Sequence, residues 1–577
     1  MSKGDGVVEK ASITPMFNLL DEPWIKCAVV DERGTIREHK VSLKDVFRQA
    51  HTFMGLSGES PIQDVAVMRL LLAILHAVYT RTDEYRDLRE EGDLDGALRM
   101  WRRLYEAGEF DAEAISTYLE QWRDRFYLVH PTRPFYQIPA VKQRYDKEKD
   151  KSNKKSKDDS GKGDYKVGLM SVKKFIFTIS ESNNIAKIFL PRTDTDVISF
   201  DEALRWLLTI NAADDVTYKG GVGVGWVGKI GNTMLSGDNL FETLMLNFVL
   251  YDRMREEPFW GDGLAPWELD VPRYEKCANY ACPDNQVELL TLQSRRLYLK
   301  VEDGGVVGCY NAPGDCFSDS EDVGAEQFTK TVTTTKSRVQ IRKYKALSTP
   351  QHLWRGFASV VASDVTKKET KAGVLRWLDE LLMSGMCEQR KVGIELTQVV
   401  YGKQNMKIDE VWRDTFHLNT GIFTDVTTDE SDEDDWLGVI YRGLKTIEDL
   451  AYEYRMFVFN MAKSRGFSGT TAEAENMLDK AQAELYGSLG EIFHEWLGNI
   501  NPEVDTPESK GTELVLSASD FIRGRADKLY TQAGGVALKG KVLTEDNYGN
   551  AINSVCAYNK FKYKFYNILK KGGYIND

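Results

Sequence analysis

Much that would point this chain toward familiar catalytic or membrane roles is scarce in it. Only 7 histidines and 7 cysteines occur among 577 residues. The cysteines are odd in number and scattered, which argues against a disulfide framework and for a reducing compartment. No window nears about eighteen uninterrupted apolar residues, so no transmembrane helix is expected. The opening MSKGDGVVEKASITP has no apolar signal core, and a cytoplasmic location is expected. There is no GxSxG, no HExxH and no Cys–His pairing that suggests a nucleophile, so neither catalysis nor a cofactor is expected. Two glycine motifs are missing as well. Gly228-Lys229 is followed by Ile230, where a P-loop needs Ser or Thr. Ala212-Ala213-Asp214-Asp215 reads as a helix end, not as the strand that precedes a dinucleotide fingerprint.

An excess of positive charge is lacking too. The formal charge is −13, which argues against a free-standing nucleic-acid binder. The charge is segregated, however, and a subunit can meet nucleic acid over a small patch. Acid collects at 425–435 (DVTTDESDEDD), and base between Lys142 and Lys174 and between Lys330 and Lys345.

What is present centres on Tyr218 to Leu250. Glycines stand at 220, 221, 223, 225, 228 and 231, around Trp226 and flanked by Lys219 and Lys229. That density suits a loop whose backbone approaches something closely. It reads either as a cradle for a phosphate or nucleic-acid groove or simply as an elaborate turn. Asp238 or Asn239 is placed to cap the apolar helix that follows. Earlier, Ser42 caps one helix, and Pro61 opens a strong amphipathic one carrying His76, which reads as a satisfied core histidine. FYLVHPTRPFYQ, from Phe126, offers aromatic rings beside Arg133, either to stack bases or as a hydrophobic wall. The lysine-rich 142–174 segment has too little apolar content to order itself and reads as a flexible insertion or a nucleic-acid tether. Val287 to Val301 reads as a helix or strand pair with paired arginines. At Tyr401-Gly402 a turn presents Lys403, Gln404 and Asn405 ahead of an amphipathic helix. After the acidic run, helical patterns at 436–465, 470–498, 515–534 and 544–571 imply an antiparallel bundle. The domains expected are 1–425 and 436–577.

Cys277, Cys282, Cys309 and Cys316 form a loose zinc candidate, set against incidental free cysteines. The acidic run could imitate a metal-dependent nuclease site, although catalytic carboxylates are normally spread over rigid elements.

Seven segments in order, FNLLDEPWIKC, SPIQDVAVMRLLLAILHAVY, HPTRPFYQI, GVGWVGKIGNTMLSGDNLFETLMLN, LLTLQSRRLYL, LWRGFA and VVYGKQNMKIDEVWRD, resemble the CasA family, the large subunit of the type I-E CRISPR Cascade complex. The resemblance covers roughly residues 16 to 420. It implies an α+β fold: a large mixed α/β N-terminal domain followed by an all-α C-terminal four-helix bundle. It implies a non-catalytic subunit that recognises the protospacer-adjacent motif in duplex DNA and begins strand separation toward an R-loop. Its implied partners are the backbone, small and guide 5′-end subunits, the crRNA, double-stranded target DNA, and a helicase–nuclease recruited in trans, with no membrane. Position by position, the family's groove-reading glycine loop falls on Lys219, Gly220, Gly221, Gly223 and Gly225, with Lys229 beyond it. Such a backbone suits a minor groove about 6 Å wide. The family's wedge hairpin falls on Lys403, Gln404 and Asn405, with either Gln404 or Asn405 at its tip. The guide-RNA and subunit docking loop falls on Asn183, Asn184, Phe189 and Arg192. A minor-groove lysine is expected near the turn Asn311 to Asp315, where this chain has none adjacent; Lys300, Lys330 or Lys336 could substitute. A metal-dependent nuclease and a purely architectural scaffold are the alternative readings.

Overall fold

A computed structural model describes residues 14–81, 86, 93–153, 167–176, 196–214, 224–260, 263–274, 277–302, 304–317, 321–336, 339–344, 353–363, 368–402, 408–423, 435–467, 471–542 and 551–576. The chain divides into two compact units. One comprises Met1–Leu347, Val365–Cys387 and Glu395–Arg413; the other comprises Ser348–Asp364, Glu388–Ile394 and Asp414–Asp577.

The first unit is built around the helix Pro61–Tyr79. Ser60 precedes it in extended conformation and Pro61 sits at its first turn, where a missing N–H costs nothing. The sequence suggests an amphipathic helix; in the structure all but Pro61 and Asp64 of its residues are buried. The reason is that it packs against several helices at once, among them Phe200–Ala213, Gln286–Leu290 and Ala112–Gln121, so no face is left to water. By length and composition alone this helix could cross a membrane, contrary to the sequence expectation, but 94% of its apolar window lies inside the protein. His76 is in the core as expected, its ring 4.6 Å from that of Phe248. It is not fully satisfied, because its Nδ1 has no hydrogen-bond partner.

Small sheets surround this centre. Ile25–Val30 pairs antiparallel with Ile36–Val41 and Gly55–Leu56. Gly34 at φ 76° makes the expected turn between the first two, and the Asp31 carboxylate accepts from the Arg33 and Thr35 amides. Arg295–Glu302 pairs antiparallel with Gly305–Pro313, which pairs in turn with Gly168–Ser171. The Val287–Val301 region thus resolves into a short helix, Gln286–Leu290, and then a strand. Asn232–Ser236 lies beside the strand Lys391–Tyr401, whose other neighbour is Ile408–Asn419.

Two expectations are corrected here. The segment after residue 407 is a strand, not an amphipathic helix. Its buried residues Ile408, Trp412 and Phe416 recur every four positions, a spacing that both a helix and a strand satisfy. Phe416 and Leu418, buried on either side of the exposed His417, follow the period of two that belongs to a strand alone. The lysine-rich insertion, in turn, begins as a helix, Ala140–Asn153. Val141 and Tyr145 bind it to a cluster containing Tyr298, Tyr310 and Ala312, and the pairs Lys142–Asp146 and Arg144–Glu148 support it at i,i+4 spacing. A few well-placed apolar residues outweigh the polar average of the stretch.

The second unit contains four long helices, Trp436–Ser464, Ala472–Gly498, Pro507–Thr531 and Ser554–Lys571. The first packs on each of the other three. Three N-termini are capped by side chains: Asp435, Thr471 and Asn553 accept from the Gly438, Ala474 and Cys556 amides. The third helix starts at Pro507, eight residues before the sequence-based start at 515, because Thr506-Pro507 supplies a start signal within the NPEVDTPESK stretch. A short helix, Gly534–Lys539, was not expected.

Candidate nucleic-acid interface

The glycine loop leaves the end of the helix Phe200–Ala213 and returns into the short helix Trp226–Lys229. Lys219, Gly220, Gly221 and Gly223 lie outside the described residues, as do Lys403, Gln404 and Asn405 of the hairpin and Asn183, Asn184, Phe189 and Arg192 of the docking loop. What the structure describes is the base on which the first two stand. The Gly225 amide donates to the Asp214 carbonyl at 3.0 Å, closing the loop at its neck. A Cβ at Gly225 would lie 2.5 Å from the Ala212 carbonyl oxygen, so glycine is required there by close approach of backbone.

The second element meets the first at this neck. Tyr401, the last residue of the strand Lys391–Tyr401, donates its hydroxyl proton to the Ala213 carbonyl at 2.8 Å. A Cβ at Gly228 would fall 2.0 Å from that hydroxyl oxygen. The sequence separates these groups by 188 positions, and the fold joins the root of the glycine loop to the root of the hairpin through one hydrogen bond.

Beneath the neck is a set of buried ion pairs. Arg295 Nε lies 2.6 Å from Asp214 Oδ2, with side chains 3% and 1% exposed. Arg296 meets Asp315 at 2.7 Å. Arg69 grips Glu326 through both guanidinium nitrogens at 3.0 and 2.9 Å, and the Trp226 indole donates to the same carboxylate at 2.8 Å. Burial alone would raise the Glu326 carboxyl, yet Arg69 and the Trp226 donor hold it below the usual range. For Asp315 burial prevails and its carboxyl is raised despite Arg296. The backbone amide of Trp226 donates to Ser294 Oγ at 3.1 Å. The paired arginines of LLTLQSRRLYL are therefore internal struts and do not face a ligand. Trp226 is likewise a buried anchor, while Lys229 is half-exposed at the end of its short helix.

Several other candidates are reassigned. Asn311 to Asp315 is not an exposed turn: the strand runs to Pro313, Asn311, Ala312 and Asp315 are buried, and Gly314 donates to the Ser294 carbonyl. Lys330 is buried and paired with Glu369 at 2.9 Å, which removes it as a groove lysine. Lys300 sits beside Glu302 at 2.9 Å, and the Lys336 side chain lies outside the described residues. The aromatic segment is a wall: Phe126 and Phe135 stack at 5.3 Å, and Trp267 packs against both. Arg133 is spent on the Leu269 and Asp270 carbonyls. Among the described residues no group of three or more metal-ligating side chains converges. The Cys309 thiol donates to the Tyr310 carbonyl, burial raises the Cys282, Cys309 and Cys316 thiols, and the Cys277 side chain is not described. Of the acidic run, Asp435 caps a helix, and residues 424–434 lie outside the described set.

The base missed by sequence reasoning consists of Asp214, Arg295 and Tyr401. Their signals were visible as a helix end, an arginine pair and a tyrosine–glycine turn, but nothing in the sequence links them.

Comparison with known proteins agrees with this architecture. The family model described as CRISPR-associated protein Cse1 matches residues 18–526. CRISPR-associated protein CasA/Cse1 of Thermus thermophilus is 28% identical over 251 residues, spanning 42% of this chain and 42% of that relative's length. The crystal structure of Thermobifida fusca Cse1 superposes with a TM-score of 0.73 at 24% identity, covering 97% of this chain and 99% of that one. A chain of a structure described as a CRISPR RNA-guided surveillance complex superposes with a TM-score of 0.61 at 13% identity, covering 96% and 100%. With the profile matching nearly end to end, the chain belongs to the Cse1/CasA family, the large-subunit family of type I-E CRISPR surveillance complexes.

Proposed function

We propose that this chain, as the large subunit of an RNA-guided surveillance complex, reads the protospacer-adjacent motif of duplex DNA through the glycine loop and starts strand separation with the adjoining hairpin. The observation that carries the reading is the shared root of the two elements, the 2.8 Å bond from Tyr401 to the Ala213 carbonyl. A loop poor in side chains enters a minor groove about 6 Å wide, where readout is degenerate. A side chain from Lys403, Gln404 or Asn405 unstacks the neighbouring base step at a cost of a few kcal/mol. The guide RNA then reads sequence by pairing while the protein reads motif and shape, a division of labour with a physical precedent in other RNA-guided effectors. The 183–192 segment docks on the guide and a neighbouring subunit. A helicase–nuclease recruited to this subunit performs the cleavage, and the chain itself performs none.

The test replaces Gly220 and Gly221 with phenylalanine in the assembled complex. Motif-dependent duplex binding is expected to weaken while the subunit still co-purifies with the crRNA-containing particle. Unchanged motif discrimination would remove the glycine loop from this role.

A further inference from the structure

Away from the glycine loop, the first unit holds a cavity of about 460 Å³, within the range of about 300–1,000 Å³ typical of small-ligand sites. Apolar side chains such as Leu128 and Leu299 line part of it, together with Tyr298, Tyr310, Lys142, Lys300 and His130. The two tyrosines stand on adjacent strands in directly paired positions, with ring centroids 6.3 Å apart and planes inclined by 31°. Among the described residues neither phenol hydroxyl has a hydrogen-bond partner, so both are available as donor and acceptor. Lys142 and Lys300 carry their ammonium groups at the rim. Their partners Asp146 and Glu302 are local and largely exposed, and exposed pairs of this kind are weak enough to exchange for a phosphate. His130 is held in one tautomer. Its Nδ1 accepts from the Arg133 amide at 2.9 Å and from the Thr132 amide at 3.3 Å, which leaves the proton on Nε2. Burial lowers its pKa, so the ring stays a neutral donor.

We propose that this cavity receives one unstacked nucleotide of a single-stranded nucleic acid, with its base against the Tyr298–Tyr310 wall and its phosphate between Lys142 and Lys300. An aromatic wall, a fixed N–H donor and two rim cations around an apolar floor match a planar base carrying a flanking negative charge. A purely apolar ligand would leave the lysines and His130 idle, and an inorganic anion would leave the tyrosines idle. The strand approaches along the helix Ala140–Asn153, where Lys147 and Lys149 are exposed beyond Lys142.

The experiment uses the isolated full chain and single strands, so it is independent of the duplex-reading proposal. A short 5-bromouracil-substituted strand, as DNA and as RNA, is photo-cross-linked and the adduct mapped by mass spectrometry. Adducts are expected in Arg295–Glu302 or Gly305–Pro313, displaced by unmodified strand but not by an abasic one. Tyr298→Leu should weaken binding about five- to 150-fold, the loss of one stacked base, while Tyr298→Phe keeps most of the affinity. Lys300→Glu, at an exposed position, should weaken binding without lowering the melting temperature. Adducts confined to other segments, an abasic strand competing equally, or unchanged affinity in Lys300→Glu and Tyr298→Leu would overturn the assignment. Displacement by free thymidine monophosphate as effective as that by the strand would overturn the strand as ligand.

Discussion

Asp214→Ala provides the most exacting test of how the glycine loop is held. Its carboxylate lies 2.6 Å from Arg295 Nε, and both side chains are almost fully removed from solvent. Two charges about 4 Å apart in a medium of effective dielectric near 20 attract by roughly 4 kcal/mol. Experience with buried pairs gives a similar figure: removing one partner costs about 3–5 kcal/mol, because the other charge is left stranded. Arg295 keeps its bonds to the Ser294 carbonyl at 2.8 Å and the Asp214 carbonyl at 3.4 Å, which places the expected loss toward the lower end, about 3 kcal/mol. The double variant Asp214→Leu/Arg295→Met strands no charge and should lie within about 1 kcal/mol of the parent. The pair would then show a coupling energy larger than either side's packing contribution.

Because the chain folds as two units, one global unfolding free energy is poorly defined, and the loss is best read locally by hydrogen exchange. The Gly225 amide, bonded to the Asp214 carbonyl at 3.0 Å, is the reporter. Asp214→Ala should speed its exchange by about two powers of ten, the equivalent of some 3 kcal/mol. Peptides from Trp436–Ser464 should be unchanged. A loss under about 1 kcal/mol in the single variant, or a double variant as damaged as the single, would refute the argument that a stranded charge sets the cost.

Gly228→Ala would place a Cβ 2.0 Å from the Tyr401 hydroxyl and 3.0 Å from Ala213 Cα; it should cost about 1–3 kcal/mol by overpacking and raise exchange at both the loop neck and the end of Lys391–Tyr401. Lys229→Ala, in the assembled complex, should reduce the slope of log affinity against log salt by about 1 if the lysine meets a phosphate. His76 titrates near 3, pushed down from 6.5 by burial, with Arg81 adding to the effect. A depressed histidine costs no stability above the unfolded pKa, and stability falls as pH drops from about 6.5 toward 3, because only the unfolded chain takes up the proton. In urea titrations followed by a probe within the first unit, His76→Leu should therefore flatten the acid limb between about pH 6.5 and 5, leaving the contribution of His130, which has the same sign; an unaltered slope would show that His76 is not the group responsible.

How far the fold was legible depended on whether the signal was local. Caps and periodicity located the first two C-terminal helices to within two residues, where Asp435 and Thr471 stand at the boundary, whereas the fourth begins at Ser554 behind its Asn553 cap, ten residues after the expected start at 544. The reading failed where two periods coincide, as at Ile408, Trp412 and Phe416, and where tertiary contacts override composition, as at Val141 and Tyr145. It failed again for Pro61–Tyr79, because amphipathicity describes a helix with one wet face and this one has none. The glycine loop was conspicuous from composition, but its fastening was not. Asp214, Arg295 and Tyr401 each have an ordinary local explanation, and only the fold brings them within hydrogen-bond distance. The same limit hid the fate of Lys330, whose partner Glu369 is distant in sequence.

The cluster of buried charge under the loop has a physical rationale in the loop itself. Glycine-rich backbone loses more conformational entropy on ordering than any other, so a loop meant to present its backbone binds weakly unless its ends are already fixed. A base of apolar side chains would bury area but would tolerate sliding, since apolar contact is non-directional. The Arg295–Asp214, Arg296–Asp315 and Arg69–Glu326 pairs are directional, and any displacement would strand a charge in a dry interior. They therefore resist shear at the neck. The Tyr401 bond extends that stiffness to the hairpin, since shifting the Ala213 carbonyl breaks either the helix end or the bond to Tyr401. In the proposed function this makes motif contact and strand opening mechanically linked. Tyr401→Phe, which removes one net hydrogen bond of about 1 kcal/mol, should accordingly impair strand opening more than it impairs motif binding.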